Sequence, residues 1–323
     1  MKYIKENKYF IFEREVHKNW KFYVKRVLNL ITLIGYKFYI LLASFKHKKN
    51  TVDKKYNISI CAIFRNEAKF LKEWIEFHKI IGVEHFYLYN NFSDDNYQEV
   101  LKPYILANEV ELIEWPVKQG QMKAYQDCLN RFKDETKWIG FIDLDEFIVP
   151  INTHNLYEEL KPFEGKYPSV LIYWKMFGTS GLMGRDKGSL IIEDFVVGWR
   201  KHTNIGKCFI NTKYDCVIGS KNNTAMHLLW GRIGKLEIPP VNLSGKLCTF
   251  GYNPVNEDGF SVQINHYFTK SYAEYLEKVS RGDAFFEINP RDEEYFYRHE
   301  MGACKYDCSA YKYLMKLKHK MSE

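Results

Sequence analysis

The sequence has no Cys-x-x-Cys pair and no Cys/His spacing of the zinc-finger kind, which excludes a small zinc module as its organising element. Its seven cysteines, at 61, 128, 208, 216, 248, 304 and 308, are odd in number and lie mostly in apolar or mixed runs. That usage predicts reduced thiols in a cytosolic protein rather than a disulfide framework. There is no internal repeat and no low-complexity tract, so solenoids and disordered linkers are set aside. A cleavable signal peptide is not expected, because charges run through the first 26 residues and no small-residue cleavage site follows an early apolar core. The chain also lacks a Gly-rich basic loop after its first predicted strand. Phe64-Arg65-Asn66-Glu67 stands there instead, which argues against a nucleotidyltransferase.

What is present fits one large core, or one domain with extensions, in 323 residues. Aromatic residues make up 17% of the chain. Most of them fill core, although flat Tyr and Trp rings also match the apolar face of a sugar. The net charge of +7 is uneven. Residues 1–55 hold twelve Lys and two Arg against three Glu and one Asp, a net +10, which leaves −3 on the rest. A basic groove across the fold is therefore not expected, and with it no nucleic-acid partner. The arm instead predicts contact with an anionic membrane surface, and a cytoplasmic protein attached peripherally to the inner membrane.

Within this arm, residues 27–45 read VLNLITLIGYKFYILLASF, nearly long enough to span a bilayer. Lys37 lies near the middle, and a central Lys costs about 2.5–3.5 kcal/mol on insertion. Basic clusters flank the run at Lys25-Arg26 and Lys46-His47-Lys48-Lys49. The favoured reading is an interfacial amphipathic helix on an anionic leaflet, with Lys37 reaching to the surface. A helix packed on the main domain or on a second subunit, and a true span, are the alternatives.

From residue 56 strand and helix patterns alternate. Ile58–Phe64, His85–Tyr89, Val110–Glu114 and Trp138–Ile142 read as strands. Ala68–Ile81, 97–105 and Gln121–Phe132 read as helices, the first stopped by Gly82. This order predicts an α/β fold with a mostly parallel, doubly wound sheet and ligands at the strand ends. Beyond 150 the elements shorten. Residues 169–177 and 189–199 read as β, 205–218 as a strand pair, and 262–268 as a strand ending at His266-Tyr267. Helices are expected at 271–280 and 309–320. The predicted organisation is an arm over 1–55, a main domain over 56–285 and a helical extension over 286–323.

The fourth strand delivers Asp143-Leu144-Asp145. Two carboxylates one residue apart, leaving a buried strand, suit a hard divalent cation. Period-2 alternation would point both to one side. Mg²⁺ or Mn²⁺ there would clamp a diphosphate leaving group, which makes sugar-nucleotide transfer the first reading.

Several ordered motifs sharpen it. They are Arg65-Asn66-Glu67, Glu73 through His78, Gly82 through Asn90, the Ser93–Asn96 turn, and Trp138 through Phe147. Further on come Trp174 through Gly181, Asn265-His266-Tyr267, Lys270-Ser271 and Lys278 through Gly282. Together, over roughly residues 57–285, they resemble family 92 of the glycosyltransferases and related bacterial family-2-like enzymes. The resemblance implies a GT-A fold, a UDP-sugar donor with galactose the usual sugar, a divalent cation and inversion at the anomeric carbon. The basic arm adds the expectation of a glycan or glycolipid acceptor, a lipid-linked one such as a lipopolysaccharide or capsule intermediate, and the sequence says nothing of oligomeric state.

On that resemblance Asp145 is the better placed metal ligand and Asp143 its partner toward ribose or metal. Glu146 is either an outer ligand or a surface acid. His266 is the expected third ligand, since imidazole suits Mn²⁺ better than Mg²⁺; His227 reads as core or as a supporting residue. Arg65, Asn66 and Glu67 would lie beside the nucleoside, with Glu67 alternatively favouring a helix N-terminus. Asn90, Asn91 and Asp94 would also hold it, Asp94 alternatively as a helix cap. Gln121 resembles a donor-pocket glutamine, and Lys270, Ser271 and Arg281 belong to the diphosphate side. An inverting transfer needs a carboxylate base, sought among Asp186, Glu193, Asp194 and Asp258, with Asp186 favoured. A glycan-binding scaffold without turnover is the non-enzymatic alternative; intact Asp143, Asp145 and His266 argue against it.

Overall fold

A computed structural model describes residues 20–46, 53–223, 226–249, 253, 260–280 and 291–323. Two residues of the expected site, Asp258 and Arg281, lie outside the described residues, as do 1–19 and 47–52 of the basic arm. The chain begins with helix α1 (Trp20–Lys46), then β1 (Tyr56–Phe64), α2 (Ala68–Ile80), β2 (His85–Asn90), α3 (Tyr97–Leu106) and β3 (Val110–Glu114). It continues through α4 (Gln121–Phe132), β4 (Thr136–Phe141), β5 (Glu146–Pro150), α5 (Leu156–Leu160) and β6 (Ser169–Met176). Shorter pieces follow: α6 (Ile191–Asp194), β7 (Val197–Trp199), β8 (Gly206–Asn211), β9 (Gly231–Ile233), β10 (Leu236–Ile238) and β11 (Val241–Asn242). Last come β12 (Val262–His266), α7 (Tyr272–Ser280), α8 (Glu293–Gly302), β13 (Ala303–Tyr306) and α9 (Leu314–Ser322).

The main sheet has the order β3-β2-β1-β4-β8-β6-β12-β5, with β11 beside β6. Strands β3, β2, β1 and β4 are parallel, so their carboxyl ends share one edge. Strand β8 runs antiparallel to both β4 and β6. Strand β12 is parallel to β6 and antiparallel to β5. The expected α/β class, a mostly parallel sheet flanked by helices, is the one found. Its second half is mixed.

Alternation along β1 explains the two layers. Ile58, Ile60, Ala62 and Phe64 join the core beneath α2, while Cys61 and Ile63 join the core beneath α4. Helix α2 meets its side with Phe70, Leu71, Trp74, Ile75, Phe77 and His78. Helix α4 meets the other with Ala124, Tyr125, Cys128, Leu129 and Phe132. His78 is core: its Nδ1 lies 2.8 Å from the Trp74 carbonyl, and its Nε2 accepts the Ile148 N–H. All seven cysteines are free.

At the start of β8, Gly206 is forced by close approach. A Cβ there would lie 1.9 Å from the Ile172 carbonyl oxygen. The carboxyl-terminal residues pack back onto α2, with Tyr313 edge-on to Phe77, Leu317 buried and Lys72 reaching the Met321 carbonyl. Helix α1 joins the main core through buried Leu33 and Ile40, and Tyr39 donates to the Ile233 carbonyl of the β9–β10 hairpin at 2.9 Å. No helix among the described residues is long and apolar enough to cross a membrane.

Two expectations fail after residue 150. Residues 189–199 contain the short helix α6 before the three-residue β7, because 191–194 bury Ile191 and Ile192 in a single turn. Residues 205–218 hold one strand, β8, followed by a loop. The helix expected at 309–320 opens as a 3-10 turn, Ser309–Tyr313, before α9.

Helix α2 also buries an acid. Burial raises the Glu73 carboxyl to about 7, and the Ile191 and Ile192 backbone and Arg185 offset only part of that. Its Oε1 accepts the Ile192 N–H at 3.3 Å. An unfolded Glu ionises near 4.3, so between that pH and 7 the unfolded chain releases a proton the folded chain keeps. The stability this group contributes is present below pH ~4 and is lost as pH rises to about 7. Glu73→Gln keeps an acceptor for Ile192. It is expected to flatten this slope and to be more stable than wild type at pH 8 by about 3 kcal/mol. Urea denaturation from pH 4 to 8 checks it; parallel pH profiles for the two proteins would reject the assignment.

Candidate active site

Strand β4 ends at Phe141, and the chain then turns. The Glu146 N–H donates to the Asp143 carbonyl at 3.0 Å, and the Asp143 N–H to Glu146 Oε2 at 3.0 Å. This turn breaks the period-2 alternation, so the two aspartates part. Asp143 keeps the parity of Ile139 and Phe141 and faces α4. There its Oδ1 accepts from Gln121 Nε2 at 3.0 Å and lies 3.4 Å from the Tyr125 hydroxyl. Asp145 faces β12 and α7, with Lys278 Nζ against one oxygen and His266 Nε2 3.5 Å from the other.

Strand register brings the remaining groups in. In the β5–β12 pair His266 stands opposite Glu146. Asp145, Glu146 and His266 are all buried, and one ligand atom from each lies within 4.8 Å of the others. The antiparallel β4–β8 register, Gly140 opposite Phe209, carries Lys207 alongside the acid turn. Lys207 Nζ is fully buried, 2.7 Å from Asp143 Oδ2 and 3.4 Å from Glu146 Oε1. Trp174 separates His266 from His227, its ring 4.5 Å from one and 4.7 Å from the other. His227 sits against the Gly206 carbonyl, and burial lowers it to about 3.

The electrostatics follow from these pairings. Burial works to raise Asp143, yet Lys207 holds it below the usual carboxylate range. Burial likewise opposes ionisation of Asp145, and Lys278 and His266 together hold it well below that range. Glu146 is raised well above it, by burial first and then by its two acidic neighbours. Burial would lower Lys207, but Asp143 and Glu146 raise it. His266 is lowered, chiefly by burial.

A divalent cation fits here. The buried His266 Nδ1 has no hydrogen-bond partner among the described residues. The neighbouring donors, two carboxylates and an imidazole, are a set that suits Mn²⁺. The set differs from the sequence expectation in one member. Glu146 stands beside Asp145 and His266, while Asp143 is turned toward Lys207 and Gln121.

The other expected residues separate into groups. Asn66 has φ +53°; its N–H donates to Ser93 Oγ and its Oδ1 accepts the Asp94 N–H. Arg65 and Asp94 are exposed, and Glu67 is buried. Asn90 holds Glu114 at 2.7 Å and Tyr97, and Asn91 holds the Trp115 and Val117 carbonyls, so both brace the strand ends. These loops share the sheet edge of the acid turn. Lys270 is buried with Nζ over the Phe70 ring, and Ser271 exchanges hydrogen bonds with Glu274 at the start of α7. Among the base candidates, Glu193 pairs with Lys318, and Asp194 pairs with Arg185 at 2.6 Å and Ser189 at 2.6 Å. Asp186 is exposed on the loop that follows β6.

Sequence reasoning passed over Lys207 and gave Lys278 no role of its own. The signal for Lys207 was a lysine directly ahead of the apolar run Cys208-Phe209-Ile210, just after a glycine.

A parallel sheet half with an acid turn at its carboxyl edge, completed by a mixed half whose strand β12 brings a histidine to the same edge, defines a GT-A-type α/β protein. The chain belongs to glycosyltransferase family 92, whose family description matches residues 54–218. A glycosyltransferase family 92 protein of Oryza sativa subsp. japonica is 33% identical over 253 residues, 77% of this chain and 39% of that one. The beta-1,4-galactosyltransferase galt-1 of Caenorhabditis elegans is 35% identical over 247 residues, 71% of this chain and 52% of that one. The chain thus spans about two-fifths of the rice protein and about half of the worm protein. A solved structure of S. aureus TarS 1-349 in complex with UDP aligns over 48% of this chain and 47% of that one, at 15% identity and a TM-score of 0.34.

Lys207→Met leaves the buried Glu146 and the half-buried Asp143 without their counter-charge. Breaking a buried pair from one side costs about 3–5 kcal/mol. The urea midpoint at pH 7 is expected to fall accordingly. A variant as stable as wild type would show that the pair carries no net charge constraint.

Proposed function

We propose that this chain transfers a hexose from a UDP-sugar to a glycan acceptor with inversion at the anomeric carbon. The observation that carries the reading is the Asp145–Glu146–His266 cluster, set at the carboxyl edge of the parallel strands in a family 92 chain. Galactose is the proposed sugar. Similarity to galt-1 of Caenorhabditis elegans and to a galactan beta-1,4-galactosyltransferase of Arabidopsis thaliana supports it.

Asp145, Glu146 and His266 would hold Mn²⁺ or Mg²⁺, which supplies charge neutralisation for the departing diphosphate. The chain's own groups do the rest. Lys207 and Gln121 hold Asp143 in one orientation toward the donor side. Lys278 and Lys270 add positive charge beside Asp145, where phosphate oxygens gain negative charge as the bond breaks. An acceptor hydroxyl attacks the anomeric carbon. Its new C–O bond forms as the bond to the β-phosphate breaks, and UDP leaves. Asp186 is the proposed base that takes the hydroxyl proton, since among the described residues its exposed carboxylate is not tied into an ion pair as Glu193 and Asp194 are. The acceptor is proposed to be a lipid-linked cell-surface glycan, such as a lipopolysaccharide or capsule intermediate, met at the cytoplasmic face of the inner membrane. The basic arm motivates that choice.

Thermal unfolding with UDP and Mn²⁺ tests the site. At a UDP concentration about 100-fold above Kd, wild type is expected to gain about 2.7 kcal/mol. Asp145→Asn should lose that gain and release no UDP from UDP-galactose. His266→Gln should weaken Mn²⁺ and UDP together, by about tenfold or more. Unchanged affinities in His266→Gln would make it a core residue. Stabilisation by UDP with no turnover on any UDP-sugar would mark a binding protein, and turnover undiminished in EDTA would remove the metal.

A further inference from the structure

Helix α1 has two unlike faces. One is taken up by the fold: Leu33 and Ile40 are buried, Tyr36 lies edge-on to Trp230, and Tyr39 bonds the β9 backbone. The other is apolar and open to solvent. Val27, Leu30, Ile31, Ile34, Phe38 and Leu42 are each 47–61% exposed. At about 100° per residue, these positions and Leu28 fall within one arc of about 160°. Over 27 residues the helix is about 40 Å long, so the open face is far larger than an isolated surface leucine.

The chemistry of α1 selects what covers this face. The helix contains Lys21, Lys25, Arg26, Lys37 and Lys46 and no acidic residue. By the same wheel Arg26, Lys37 and Lys46 border the open arc, so a second copy docked through it would set cations beside cations with no acid on the helix to answer them. The arc is also wider than the two-position seam of a helix pair. A spanning helix would be wrapped by lipid on all sides, whereas one side of α1 is occupied by the β9–β10 hairpin. Lys37, exposed beside Leu30 on the wheel, stands where a lysine reaches headgroups from the border of a buried apolar face.

We propose that α1 lies in the plane of an anionic lipid bilayer, its Val27–Leu42 face inserted at the headgroup–acyl boundary and its opposite face carrying the folded domain. Such a helix inserts about 5–10 Å deep, and its binding combines apolar burial with attraction to anionic lipid. The proposal stands on the exposed face and the one-signed charge of α1, independently of the glycosyl-transfer reading.

The test is flotation of the full chain with vesicles of phosphatidylcholine, with and without phosphatidylglycerol. Wild type is expected to float with the mixed vesicles, and much less with phosphatidylcholine alone or at high salt. The double variant Ile31→Glu, Ile34→Glu changes only exposed positions. Its floated fraction should fall about tenfold or more while its melting temperature stays that of wild type. Equal flotation of variant and wild type overturns the proposal. So does a wild type that stays at the bottom, and sedimentation equilibrium then separates two cases: a dimer that the variant converts to monomer means a second copy covers the face, and a monomer means the face binds neither. Attachment that resists both high salt and alkaline carbonate would replace the in-plane helix with a span.

Discussion

Three carboxylates can share one edge of this sheet because two ammonium groups pair with them. Asp143, Asp145 and Glu146 lie within a four-residue stretch, Asp145 and Glu146 buried and Asp143 half-buried. Ionised together and unpaired, they would repel and face a desolvation cost of several kcal/mol each. Lys207 answers Asp143 and Glu146 from β8, and Lys278 answers Asp145 from α7. Even so the balance is incomplete. Glu146 remains raised, by burial first and then by its two acidic neighbours.

This constraint explains why the sheet changes character in its second half. A purely parallel sheet would present the carboxyl ends of its strands at the site, and with them loops. Reversing β8 brings the amino end of a strand there instead, so Lys207 arrives on a rigid, hydrogen-bonded backbone with its stem packed inside. Strand β12, lying between β6 and β5, brings its carboxyl end to the same edge and fixes His266 opposite Glu146 by register rather than by a loop. Gly206 belongs to the same arrangement, since only a residue without Cβ lets β8 approach Ile172 closely enough to seat Lys207.

Local pattern made the first half of the fold legible. Continuous apolar runs bounded by turns gave β1 to β4 within about two residues, and the amphipathic spacing of α2 and α4 gave their buried faces. Asp145 and His266 were legible for the same reason, because each ends an apolar run. Three things were not. The membership of Glu146 depends on its partner across the strand, which no local pattern contains. Lys207 reads as a flaw in a strand until Asp143 is placed beside it. Residues 189–199 are rich in Ile, Val and aromatic residues as a strand is, yet Ile191 and Ile192 turn in together because tertiary burial overrides that composition.

The site is also not contained in the segment that defines the family. The family description covers residues 54–218, which holds Asp143, Asp145, Glu146, Gln121 and Lys207. His266 and Lys278 lie beyond it, and both reach Asp145. The loop that carries Asp186 depends on later residues still. Glu300 of α8 accepts from the Thr179 N–H at 3.0 Å and from its hydroxyl at 2.7 Å, fixing the start of the loop that carries Asp186. Gly178 lets that loop pass against Glu300 and Ala303, where a Cβ would collide at 2.6–2.7 Å. The first half of the chain thus supplies the acids, and the second supplies the charge that makes those acids compatible with burial. Sequence change after residue 218 therefore reaches the geometry of Asp145 directly, without altering any residue of the acid turn.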